Sequence, residues 1–171
     1  MDKVKGNLFV ALTFSKEEVD KIYKHLEDIV DDKEKLVSKD KMHLTLVYIG
    51  KNDNVEVIIE ALNDINLDAF EIKIGEIYQM PKVNVYVLNI EESANLNELQ
   101  EFVEKKMHKA KIAFDKKERF IPHITISRKK IEYKKVNFKM NLNVSSFDLI
   151  ASIPSGQGVR YEILFTKNLK R

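Results

Sequence analysis

The chain has 171 residues, 44% of them hydrophobic, with 29 basic and 27 acidic side chains and a formal net charge of +2. That length suits one domain with an ordinary core, and so small a charge sets up no global field for nucleic acid, although it leaves room for a local basic site. The chain has no cysteine, which excludes disulfides, thiolate metal sites and cysteine nucleophiles and fits a cytoplasmic address. Apolar runs are too short for a signal peptide or a membrane span, so no membrane association is expected.

"NLFVALTF" (Asn7 to Phe14) reads as a buried strand. Ser15 with Glu18 three residues later forms a capping box, and Val19, Ile22, Leu26 and Ile29 follow at helical spacing. "MHLTLVYI" is a strand from Met42 to Ile49. Asp53 or Asn54 caps a second helix carrying Val57, Ile58, Ala61, Leu62 and Ile65. "FEIKIGEIY" and "VNVYVLNI" alternate at period two, as strands joined near Pro81. "SANLNELQEFVEKKMHKAKI" is a long amphipathic helix with Leu96, Leu99, Phe102 or Val103, and Met107 on one face. "HITIS", "VNFKMNLNV", "SFDLIASI" and "VRYEILF" are strands, the last two separated by "PSGQG", a glycine-rich turn. The order echoes itself loosely. It predicts an α+β chain of two similar lobes around a central groove, with two motif strands side by side across it.

Those motif strands contain "HLTL" (His43 to Leu46) and "HITI" (His123 to Ile126). Four histidines and four threonines scattered over 171 residues would give roughly 0.1 His-x-Thr by chance, so two point to a paired site. Residues i and i+2 of a strand share a face. His43 therefore shares one with Thr45, and His123 with Thr125, while the interleaved leucines and isoleucines face the core. Two imidazoles and two hydroxyls facing one groove suit phosphoester chemistry. One ring takes a proton while the other gives one, and hydroxyls hold non-bridging oxygens. A metal is the rival. No His-Glu-x-x-His or His-x-His occurs, and Asp40 and Glu118 are the nearest carboxylates the fold could bring in. His25 and His108 lie on amphipathic helices among charged residues and read as surface histidines. Arginine occurs only at positions 119, 128, 160 and 171, and Arg119 and Arg128 bracket the second motif. A guanidinium grips phosphate oxygens in pairs, which lysine cannot do.

The paired motifs resemble those of the two-histidine phosphoesterase superfamily. Together "NLFVALTF", "MHLTLVYIG", "RFIPHITISR" and "PSGQGVRYEIL" are similar to its RNA 2′,3′-cyclic phosphodiesterase branch, first named 2′-5′ RNA ligase. The resemblance implies a single bilobal domain over residues 1–171, no cofactor, and opening of the 2′,3′-cyclic phosphate at an RNA end to a 2′-phosphate. It implies His43 as proton donor, His123 as proton acceptor, Thr45 and Thr125 as phosphate holders, and Arg128 near the phosphate. Tyr48 stands where the family usually has phenylalanine and would stack on a base. Arg119 and Arg160 are further substrate-binding candidates. Strict alternation would turn Tyr48 and Arg128 away from the groove, so their roles require the strands to twist or end. Expected partners are RNA 3′ ends or small cyclic nucleotides, with no protein partner and a monomeric state. The alternatives are a phosphodiesterase or ligase for 2′-5′-linked oligonucleotides, and a nucleotide- or RNA-binding module without turnover.

Overall fold

The computed structural model describes residues 6–81, 83–156 and 158–171. Eight strands form two antiparallel sheets. In the first sheet, β2 (Leu44–Gly50), β1 (Asn7–Leu12), β7 (Ser146–Ser155) and β8 (Gly158–Asn168) lie in that order. In the second, the order is β5 (His123–Ser127), β4 (Tyr86–Ile90), β3 (Phe70–Gln79) and β6 (Met140–Val144). The motif strands β2 and β5 are thus edges of different sheets, and they touch each other. This is the side-by-side placement that the internal echo predicts.

Three helices cover the sheets, and they cross between them. Helix α1 (Lys16–Ile29) carries the predicted capping box at Ser15 and Glu18. It leaves the first sheet and packs on the second. Glu18 accepts from the Asn143 backbone N–H of β6 at 2.8 Å, and His25 meets Phe138. Helices α2 (Val55–Asn63) and α3 (Ala94–Lys109) pack on each other and on β8 and β2 of the first sheet. Each sheet therefore takes its cover from chain that precedes or follows a strand of the other, which ties the two lobes together. Ser93 caps α3, and Leu96, Leu99, Val103 and Met107 are its buried stripe. Phe102 is among the exposed apolar residues, so Val103 and not Phe102 completes that face.

Some predicted boundaries shift. His43 lies just before β2, so its motif straddles the start of the strand. Strand β4 begins at Tyr86, not at Val83. "VNFK" precedes β6 without joining it: Phe138 is buried, with its N–H on the Gly75 carbonyl, and Lys139 has φ +49°. Of the predicted "PSGQG" turn, Gln157 lies outside the described residues. Among the described residues no helix is long and apolar enough to cross a membrane.

The second sheet is irregular at Gly75. Two steps of β4 (Ile90 to Leu88) oppose three of β3 (Ile74 to Ile77), so β3 bulges at Gly75 and Glu76. The Asn89 side-chain carbonyl accepts the Glu76 N–H that the bulge leaves over, at 2.5 Å. It sits where a Cβ on residue 75 would stand. Asn89 pairs with His123 across β4 and β5. Gly75→Ala should expel the Asn89 amide, strand the Glu76 N–H and destabilise the fold by about 1–3 kcal/mol. Chemical denaturation measures this, and a variant as stable as the parent would refute the packing described.

Candidate active site

Each motif histidine is held the same way. His43 Nδ1–H donates to the Lys41 carbonyl at 2.7 Å, and His123 Nδ1–H donates to the Ile121 carbonyl at 2.9 Å. A carbonyl can only accept, so the proton sits on Nδ1 in both rings and Nε2 is left to exchange one. Thr45 and Thr125 are half-buried, whereas Leu44, Leu46, Ile124 and Ile126 are core. The other two threonines serve the frame. Thr13 and Thr166 both donate to the buried Asp148 carboxylate at 2.6 Å.

The expectation of strict alternation fails in both motif strands, for one reason. Ala11 pairs with Thr45 and Phe9 with Tyr48, so two steps of β1 oppose three of β2. Phe9 and Ala11 share a face, hence Thr45 and Tyr48 do too. In β5, Thr125 pairs with Val87 and Ser127 with Tyr86, so one step of β4 opposes two. Ser127 is thereby turned to the buried side, and Arg128 returns to the side of Thr125. A one-residue bulge after each threonine brings the fifth residue after each histidine back to the groove.

The surroundings of His43 are aromatic. Its ring lies 5.1 Å from that of Phe9 and 5.3 Å from that of Tyr161, edge-on, and the latter two are 5.4 Å apart. His43 and Tyr161 belong to opposite edges of a four-stranded sheet, about 14 Å apart at ordinary strand spacing. Their contact requires the sheet to curl into a trough. Burial holds the His43 pKa below its ordinary value, opposed by the bond to Lys41, and the positive charge of Arg128 lowers it further. Burial also raises the pKa of Tyr161, which feels Arg128 and Asp40. Arg128 is thus close enough to act on both rings. Phe9 and Tyr161 are groove residues that motif reasoning missed. The signal for Phe9 was its alternation with Leu8 and Val10, but nothing local separates a groove aromatic from a core one.

Arg119 lines a cavity of about 240 Å³ with Glu92, Asn97, Gln100 and Phe120. Arg160 is within 3.6 Å of Glu162, on the face of β8 opposite Tyr161. His25 and His108 are exposed. Among the described residues no group of three His, Cys, Asp or Glu side chains is placed to hold a metal ion.

The sequence profile of the 2′-5′ RNA ligase superfamily matches residues 18–139, a stretch that includes both motifs. The chain belongs to this superfamily. Among curated proteins, the superfamily member is 28% identical over 173 residues to the RNA 2′,3′-cyclic phosphodiesterase of Methanocaldococcus jannaschii, covering 92% of this chain and 97% of that one. Among solved structures, it superposes on Escherichia coli LigT in complex with 3′-AMP with a TM-score of 0.84 at 21% identity, over 99% and 100% of the two chains. A Thermus thermophilus protein gives a TM-score of 0.81 at 21% identity, over 96% and 98%. The fold is the two-lobed α+β fold of these proteins.

The lowered His43 pKa has a measurable consequence. In NMR titration the His43 ring should protonate below the ordinary histidine range, and Arg128→Gln should raise its midpoint without restoring it fully, since burial is the larger cause. The folded state then binds fewer protons than the unfolded chain between that midpoint and about 6.5, so stability should fall on acidification through this window. A His43 midpoint at or above the ordinary value would contradict the arrangement.

Proposed function

We propose that the protein is an RNA 2′,3′-cyclic phosphodiesterase, an enzyme that hydrolyses the cyclic end to a 2′-phosphate. The observation that supports this most is a pair of carbonyl-oriented imidazoles, His43 and His123, at the starts of the two contacting motif strands β2 and β5, close enough that the charge of one acts on the other. The superfamily membership and the named activity of the M. jannaschii relative support the same reading.

In this mechanism His123 Nε2 takes a proton from water, and the water oxygen attacks phosphorus. The bond from phosphorus to the 3′-oxygen breaks, and protonated His43 gives its Nε2 proton to that oxygen. The 2′-oxygen keeps the phosphate. Thr45 and Thr125 donate hydrogen bonds to the non-bridging oxygens, Arg128 offsets their charge, and Tyr48 stacks on the base. A cyclic phosphate brings a negative charge to His43 and counters the effects that depress its pKa, so protonation of His43 accompanies substrate binding. The same depressed pKa favours a second reading in which His43 is the neutral base and His123 the acid. No step calls on a cofactor, and the whole chain acts as one bilobal domain.

Incubation with an RNA ending in a 2′,3′-cyclic phosphate tests the proposal. The expected product is a 2′-phosphate with a free 3′-hydroxyl, and His43→Ala and His123→Ala should each lose about 10²–10⁴-fold in rate. Action only on 2′-5′-linked oligonucleotides would shift the activity to the other reaction of the family name. Tight binding of the cyclic end with no ring opening would make the protein a binding module.

A further inference from the structure

The first sheet carries a second apolar cluster on its groove side, separate from the main core. Phe9, Ala11 and Ile150 are buried there, with Tyr161 packed against them. Strand pairing extends this face outward. Ile150 lies opposite Ile163, Ser152 opposite Tyr161 and Pro154 opposite Val159, so Val159, Tyr161 and Ile163 form one stripe along β8. Ile163 is 56% exposed and Val159 38%. Strand alternation puts the charged Arg160 and Glu162 on the other side. The apolar side chains thus face the groove and the charged ones do not, the reverse of what solubility alone would select for an edge strand. The stripe spans about 13 Å at 3.3 Å per residue, longer than the His43 contact at Tyr161 requires. Arg128, whose charge reaches Tyr161, places a cation beside it.

We infer that this stripe is a subsite for the base of the nucleotide on the 5′ side of the cyclic end, so that the substrate is an oligonucleotide terminus and not a cyclic mononucleotide. The inference rests on the reaction proposed above and extends it to the neighbouring nucleotide. Tyr161 offers a ring, and Val159 and Ile163 offer apolar flanks, that receive a base through its π-face without selecting sequence. Tyr48, on the opposite edge strand, is left for the terminal base.

The test compares three probes: adenosine 2′,3′-cyclic phosphate, the adenosine dinucleotide with the same cyclic end, and that dinucleotide with an abasic 5′ unit. The parent protein should prefer the full dinucleotide over both others by on the order of tenfold in kcat/KM, as one stacked base supplies. Val159→Ser and Ile163→Ser should each reduce the ratio of dinucleotide to mononucleotide rates toward that of the abasic probe. Val57→Ser, a change on α2 at an exposure between those of Val159 and Ile163, should leave the ratio alone. Equal rates on the full and abasic dinucleotides would overturn the inference while leaving the reaction intact. So would a loss in Ile163→Ser that is the same on mononucleotide and dinucleotide, since the stripe would then serve the terminal base or the fold. A parent protein that opens none of the three rings would overturn the reaction and the subsite together.

Discussion

Everything at the candidate site depends on two edge strands that meet without pairing. An edge strand exposes unpaired backbone groups, and two such edges side by side would ordinarily zip into one sheet. Here each edge is occupied by other backbone or side chains. The Tyr48 carbonyl of β2 accepts from the Asp115 N–H at 2.8 Å, and the Leu46 carbonyl from the buried Gln100 amide at 3.4 Å. On β5, the Ile126 carbonyl accepts from the Val37 N–H at 2.8 Å, and Leu36 bridges to Ser127. With these carbonyls taken, β2 and β5 lie side by side without joining into one sheet. His43 and His123 stand at the starts of these two strands, close enough that the charge of one acts on the other.

That constraint explains why the segments before each motif are irregular. The chain from Asp32 to Met42 runs through two short 3-10 turns, covers β5 at Leu36 and Val37, and then presents the Lys41 carbonyl to His43. The chain from Lys111 to Pro122 covers β2 at Asp115 and presents the Ile121 carbonyl to His123. Each covering segment therefore does two jobs. It blocks the edge of the other lobe's motif strand, and it sets the tautomer of its own histidine. Rigid backbone carbonyls fix ring orientation at no side-chain entropy cost.

Much of this was written in the residues. The helical stripes, the Ser15–Glu18 box and the two His-x-Thr pairs follow local periodicity, and the structure keeps them. The family resemblance came from the same motifs together with their flanks. What could not be read locally was register. A one-residue bulge leaves no mark in "LTLVY" or "HITISR", because Leu46, Val47, Ile126 and Ser127 suit a regular strand as well. Their buried faces are decided by partners more than thirty residues away. Pairing across β1 and β4 alone reveals that Tyr48 and Arg128 turn back to the groove. The same holds for Phe9 and Tyr161, which read as core strand residues until the first sheet curls. Arg119 shares its cavity with Pro122, the residue before His123, and alternation along β8 turns Arg160 to the face opposite Tyr161.

In the proposed reaction the two imidazoles divide the work, His43 giving a proton to the leaving oxygen and His123 taking one from water. The most direct measurement replaces the 3′-oxygen of the cyclic end by sulfur and follows ring opening by single variants. A thiolate leaves well without a proton, so the sulfur substrate relieves the need for an acid and not the need for a base. His43→Ala should recover most of its lost rate on the sulfur substrate, and His123→Ala should recover none. Rescue of His123→Ala alone, or of neither variant while both still bind the RNA end, would contradict this division.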